Sequence, residues 1–219
     1  MRTCVINQCN GMAAGYSKLC EKHKRNQRRH GDPEQIGVTV SELKLYFERA
    51  QRRVLKNAEN ETWAILKDRW EKLIAIADQK QQIYKSGKSA NKDEINALSE
   101  ITKLRDTDPQ KIIETYIAMY LLMMEQPRRF ISDNAFLFQL ARRIRGLTDI
   151  NAGQYWDNEK KQTKRVYRDV SPRVLRTLGN YLIETFGAAG LVVAKLEAEE
   201  INRIHEEKAR LDEALGLLK

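Results

Sequence analysis

Apolar residues recur every three or four positions through most of this chain, a period that predicts a mainly α-helical protein. Leu43, Phe47, Ala50 and Val54 form the first seam, in a helix starting at Ser41. Asn60 suits the cap of a second helix, whose seam is Trp63, Leu66, Trp70, Leu73, Ile74 and Ala77. At helical spacing, its two tryptophans read as core rather than as base-stacking residues. The stretch KSGKSAN at 85–91 breaks the pattern as a loop. Ile95, Leu98, Ile101 and Leu104 mark a third helix from Lys92 to Arg105. Asp108-Pro109, a capping residue followed by a first-turn proline, starts a fourth from Gln110 to Gln126. That helix is rich in Ile, Leu, Met and Tyr, so it is expected to be the most buried, with Met119, Met123 and Met124 as core filler. Ser132 caps a fifth, with Phe136, Leu140 and Ile144 inward and Gly146 at its exit.

The helical period is lost over 147–170. Gln154–Trp156 and Lys164–Tyr167 are predicted as strands around a polar turn, Asp157–Gln162. A basic hairpin after an arginine-tipped helix has the outline of a winged helix; the other reading is a long exposed loop. Ser171-Pro172 then starts a helix with Val174, Leu178, Tyr181 and Leu182 inward, broken or kinked by Gly187 and Gly190. From Leu191 one long helix runs to the end. Ala194, Ile201, Ile204, Leu211, Leu215 and Leu218 form an imperfect coiled-coil stripe, interrupted by Glu197 and Lys208. The stripe is expected to meet a helix of the same core or of a second subunit.

Residues 1–33 follow a different logic. All three cysteines lie there, and Cys4, Cys9, Cys20 and His23 are spaced C-x4-C-x10-C-x2-H. Four thiolate or imidazole groups are what a structural zinc ion needs at tetrahedral corners. A segment this short cannot bury a core of its own, so a metal is the natural means of ordering it. The cysteines therefore read as metal ligands in a reducing cytosol, not as a disulfide framework. A short helix is predicted from Ser17, its cap, to His30, with Gly31 at the exit and Asp32-Pro33 as the stop. Cys20 and His23 share one face of it, and Lys18, Lys22, Lys24, Arg25, Arg28 and Arg29 lie on or beside it as cations for phosphate. The neutral readings are a solvated basic helix or a zinc knuckle that binds protein.

Cys4, Cys9, Gly15-Tyr16, Leu19-Cys20, His23, Arg25, Arg28-Arg29 and Gly31-Asp32-Pro33 together resemble the small zinc-binding module of phage and prophage proteins, often fused to HNH endonucleases. The resemblance covers 33 of the 219 residues. It implies a zinc-stabilised nucleic-acid-binding module, with DNA favoured over RNA. An HNH nuclease needs further histidines to hold a catalytic metal. Only His30 and His205 follow the motif, so the nuclease half is expected to be absent.

Charge sharpens this picture. The net charge is +9, favouring an anionic partner. Residues 1–31 hold seven basic side chains against one acidic, and residues 142–168 hold eight against three, so these two segments account for the whole excess. The second comprises Arg142, Arg143, Arg145, Lys160, Lys161, Lys164, Arg165 and Arg168. No phosphate-binding glycine loop and no serine nucleophile elbow is present, and the histidines are too few for acid–base catalysis. Asp149, Glu159 and Lys161 supply the residue types of a metal-dependent nuclease, but in a very polar segment rather than on core strands. The N-terminus is polar, and the most apolar stretch, Tyr181–Leu196, is too short to span a bilayer and is interrupted by Glu184 and Lys195. A cytoplasmic protein without membrane partners is expected.

The expected organisation is a zinc-binding basic module (1–33), a linker (34–40), a helical body (41–186) with one β-hairpin near 153–168, and a long C-terminal helix (187–219). The expected function is that of a phage-type DNA-binding regulator, not an enzyme, with its body docking on a host protein such as RNA polymerase. The alternative is an adaptor or host-enzyme inhibitor that oligomerises through 191–218, with zinc purely structural.

Overall fold

The computed structural model describes residues 2–159 and 161–216, with the backbone alone at 152–155, 164–167 and 214–216. The fold is mainly α, as the periodicity predicts. The helices are α1 (Glu21–His30), α2 (Val40–Lys56), α3 (Glu61–Lys85), α4 (Lys92–Thr102), α5 (Pro109–Glu125), α6 (Asp133–Arg145), α7 (Pro172–Phe186) and α8 (Ala189–Gly216). Strands β1 (Ala152–Asp157) and β2 (Gln162–Tyr167) form an antiparallel hairpin between α6 and α7, with Trp156 opposite Thr163. A short 3-10 turn, Asp149–Asn151, leads into it.

Most helix starts follow from a capping side chain. The side chains of Asn60, Asn91, Asp108, Ser132 and Ser171 each accept a hydrogen bond from a first-turn N–H. Thr39 forms a full capping box with Glu42, which starts α2 at Val40 rather than Ser41. Helix α5 is buried without a break from Ile112 to Met119, Glu114 and Thr115 included, so it is enclosed on all sides and forms the centre. It packs against α2, α8, α6 and α3, while α7 joins α6 to α4 and α3. Trp70 is 1% exposed and stacks on Phe186 at 6.0 Å; Trp63 is half-buried at the edge of the same cluster.

Gly187, at φ 55, ends α7, and the chain bends by 65° into α8. The Tyr116 hydroxyl donates to the Gly187 carbonyl at 2.8 Å, fixing the bend to α5. Gly190 lies inside α8 instead of breaking it. A Cβ there would meet Tyr120 Cδ2 at 2.4 Å, so the glycine allows α8 to approach α5 closely. The first half of α8 is held by ion pairs: Glu197 with Arg53 at 3.3 Å, and Glu200 with Lys56 at 2.6 Å and with Arg53. From Asn202 to Glu213 every residue of α8 is exposed. Among the described residues no single helix is long and apolar enough to cross a membrane.

Three expectations need correction. The segment 34–40, read as a linker, is a packed strap up to Thr39, and Val40 already opens α2. Gln35 and Val38 are 1% and 3% exposed. The Gln35 amide donates to the Arg129 carbonyl at 3.2 Å and accepts from the Ile131 N–H at 3.1 Å. The Val38 N–H donates to Gln139 Oε1 at 2.9 Å, and Arg129 donates to the carbonyls of Ile36 and Gly37 as well as to Glu42. The winged-helix outline also fails. A recognition helix must offer one face to a groove, whereas α6 has no exposed residue from Ala135 to Arg145. Finally, Arg145 belongs to the interior. It is 3% exposed, pairs with Glu100 of α4 at 2.6 Å and donates to the Arg168 carbonyl at 3.0 Å. Lys103 completes the cluster, 2.5 Å from Glu100.

Removing Arg145 leaves the buried Glu100 with Lys103 alone and takes the donor from the Arg168 carbonyl, and breaking a buried ion pair is strongly destabilising. Arg145→Ala is therefore expected to cost about 3–5 kcal/mol in urea unfolding, whereas truncating a solvated phosphate-binding arginine costs almost nothing. A loss of under about 1 kcal/mol would contradict the internal role.

Candidate metal centre and the basic surface around it

The first thirty residues bury little: Cys4, Leu19 and Cys20 are the fully buried members of their cluster, with Ile6 and Cys9 packed against it. Backbone pairing supplies a scaffold. Isolated antiparallel bridges join Thr3 to Met12 and Ala13 to Cys20. The Cys4 N–H donates to the Gly11 carbonyl at 2.9 Å and the Cys9 N–H to the Ile6 carbonyl at 3.1 Å, folding the Cys4–Cys9 loop into a tight turn with Gln8 at φ 59. A second turn brings Cys20 back, since the Val5 N–H donates to the Lys18 carbonyl at 3.0 Å. Helix α1 starts at Glu21, not Ser17, because Ser17 spends its hydroxyl within this turn, accepting from the Leu19 N–H at 3.1 Å. Cys20 thus precedes the helix and His23 lies in its first turn.

The four candidate ligand atoms converge. Cys4 Sγ, Cys9 Sγ, Cys20 Sγ and a ring nitrogen of His23 all lie within 4.8 Å of one another. His23 Nδ1 is 3.3 Å from Cys20 Sγ and 3.4 Å from Cys4 Sγ, and the Cys9 and Cys20 sulfurs are 3.9 Å apart. Metal–sulfur bonds of about 2.3 Å and metal–nitrogen bonds of about 2.0–2.1 Å give tetrahedral edges of about 3.8 Å (S–S) and about 3.5 Å (S–N). The observed separations are close to those edges, so the residues fit a four-coordinate metal ion. Among the described residues this is the one grouping of three or more candidate ligands. Asp149 and Glu159 join no such group.

The thiols differ in how readily they ionise. Burial pushes Cys4 up, but backbone N–H groups of Ile6 and Cys20, then His23 and Cys9, outweigh it and bring its pKa down to about 6. At Cys9 the Gly11 N–H lowers the pKa, yet burial and the neighbouring Cys20 and Cys4 sulfurs leave it raised. Thiolates bind metal, so Cys4 is ready near neutral pH, whereas Cys9 would have to give up its proton to bind one.

Two residues outside the ligand set shape the site. A Cβ on Gly11 would sit 3.0 Å from Cys20 Cβ and 3.3 Å from the sulfurs of both Cys20 and Cys9. His30, at the far end of α1, docks the module on the body: its Nδ1 accepts from Gln139 Nε2 at 3.0 Å. Burial, then Arg142 and Arg29, push its pKa down to about 4, so the docked imidazole is neutral. The Asn134 amide donates to the Gly31 carbonyl at 2.8 Å beside it.

The basic residues fall into three groups. Lys18, Lys22, Lys24, Arg25 and Arg28 are exposed and have no ion-pair partner among the described residues. Arg29 and Arg142 are both engaged by Asp169, at 2.7 and 3.4 Å. Asp169 thereby joins α1 to the C-terminal end of α6, close to the exit of the hairpin. Arg143 is half-buried, Lys161 and Arg168 are exposed, and Arg145 is internal. Lys160 lies outside the described residues, and Lys164 and Arg165 lie on β2 with side chains outside them. Sequence reading missed Asp169, Gln139 and Gly11. Gly11 alone carried a local signal, as a glycine two residues after a ligand cysteine.

Comparison with protein-family models, curated proteins and solved structures gives no match.

Gly11→Val is expected to weaken metal binding by about 10–100-fold, because its side chain displaces two ligand sulfurs. A cobalt titration of reduced protein, followed through its thiolate charge-transfer band, measures this. Unchanged affinity would mean that the sulfurs do not close around Gly11 as described.

Proposed function

We propose that this chain is a zinc-containing nucleic-acid-binding regulatory protein of the phage type, with DNA the favoured ligand. Three thiolates and one imidazole in a closed tetrahedron suit zinc as a structural ion. Zinc takes no part in chemistry here. It fixes the two turns and the start of α1, and α1 presents Lys22, Lys24, Arg25 and Arg28 to phosphate oxygens. DNA over RNA, and the phage context, rest on the resemblance of residues 1–33.

The observation that carries the reading is the clasp at Asp169. The two segments that hold all the excess positive charge lie more than a hundred residues apart in sequence. Arg29 and Arg142 meet on one carboxylate, so α1 is tied to both ends of the second basic segment, at Arg142 and at Asp169 just after Arg168. A neighbouring pair of basic elements suits a polyanion better than two isolated ones. Contacts of this kind fix position without reading sequence. The helical body then delivers the surface to its place of action, with a protein such as a host RNA polymerase as the proposed partner.

Arg25→Ala with Arg28→Ala tests the reading in gel shifts over a salt series. The double variant is expected to bind more weakly by a similar factor on unrelated sequences, and to lower the slope of log affinity against log salt by about 2. An unchanged slope would move the interface off α1. If the wild-type protein binds neither DNA nor RNA at low salt, the proposal fails. The interaction-protein alternative is then favoured, with the exposed residues 202–213 of α8 as its surface.

A further inference from the structure

We propose that the nucleic acid bound by this chain is single-stranded, and that Tyr16 and Trp156 stack on its unpaired bases. The inference rests on the nucleic-acid reading above and names its substrate class.

The starting point is where this protein leaves its aromatic side chains. Its large rings are spent on the core: Trp70, Tyr116, Phe138 and Phe186 are each no more than 1% exposed. Among the described residues the two most exposed aromatics are Tyr16, at 106%, and Trp156, at 57%. Each stands on a hairpin, and the two hairpins lie in the two segments that carry the protein's positive charge.

Both rings stand on hydrogen-bonded backbone. Tyr16 occupies the turn Ala14–Ser17, closed by the Ser17 N–H donating to the Ala14 carbonyl at 2.9 Å, with Gly15 before it at φ 55. The Ala13–Cys20 bridge and an Ala14 N–H to Leu19 carbonyl bond of 2.9 Å tie that turn to a metal ligand. Metal binding therefore fixes the base of the turn, and Lys18 is exposed two residues further on. Trp156 stands one residue from the end of β1, opposite Thr163. The turn beyond it is drawn in by a 3.0 Å bond from the Glu159 N–H to Asp157 Oδ1, and Lys161 is exposed in the same turn.

An exposed ring adds little to a phosphate contact, because phosphate offers it only charge and water. It does have a partner in the face of a base, and in a duplex those faces are already stacked on one another. A single strand offers both the face and the phosphate. The pairing of one ring with nearby cations, occurring twice, matches this chemistry. Stacking of this kind tolerates any base, in keeping with an α6 too buried to enter a groove.

The test is fluorescence anisotropy with labelled oligo(dU), oligo(rU) of equal length and a duplex of the same length, at low salt. Wild-type protein is expected to bind at least one single strand more tightly than the duplex. Tyr16→Ala and Trp156→Ala are each expected to lose about 5- to 150-fold on that strand and to change little on the duplex. Tyr16→Phe and Trp156→Phe are expected to keep most of the affinity. The tighter of the two single strands identifies the sugar. Duplex binding as tight as single-strand binding, or alanine variants that bind like wild type, would overturn the stacking proposal and leave the phosphate-binding reading standing. Failure to bind all three ligands would overturn both.

Discussion

Residues 2–33 have almost nothing to bury, and the organisation of this N-terminal module follows from that constraint. Two cysteines and one leucine cannot offset the conformational entropy of ordering some thirty residues. Order has to come from elsewhere, and the chain draws on two sources. Four ligand atoms converge near Gly11, where a metal can tie both turns to the first turn of α1. At the other end of α1, His30, Gly31 and Arg29 are held by Gln139, Asn134 and Asp169. The helix is thus fixed at both ends by polar groups, which leaves its sides free to carry unpaired cations.

The same economy appears in the body. The interior around α4 and α6 contains a charged cluster, Glu100 with Arg145 and Lys103, where an apolar filling would have been simpler. Such clusters seldom add net stability over a hydrophobic replacement. This one has a positional consequence: Arg145 holds the Arg168 carbonyl, and the Asn151 amide donates to the Arg145 carbonyl at 3.3 Å. Both ends of the hairpin segment are therefore referenced to one buried residue, Arg168 to its side chain and Asn151 to its backbone carbonyl. One residue further along the chain, Asp169 binds the module. The module is thereby tied to the exit of the hairpin segment through short polar links.

What could be read from the sequence was local. The seams of α2 to α7, the caps at Asn60, Asp108, Ser132 and Ser171, and the hairpin itself are written within a few residues of where they act. The convergence of Cys4, Cys9, Cys20 and His23 was legible for the same reason, since its spacing is a local pattern. What could not be read depends on partners far away in the chain. Arg145 looks like any arginine at a basic helix end until Glu100 is placed against it. The segment 34–39 looks like a linker because its burial is satisfied by Arg129, Ile131 and Gln139, about a hundred residues on. Asp169, an acidic residue at the edge of a basic segment, reads as noise in a charge count, yet it joins the two basic segments.

On the proposed function, metal ligation builds the basic surface for nucleic acid. The most direct test is to measure oligonucleotide affinity for one reduced preparation, before and after removal of its metal by a chelator. The metal-free protein is expected to retain its helical body but lose most of its affinity and salt dependence, and one equivalent of zinc per chain is expected to restore both. Metal-free protein that binds with the same affinity and the same salt slope would contradict the proposal.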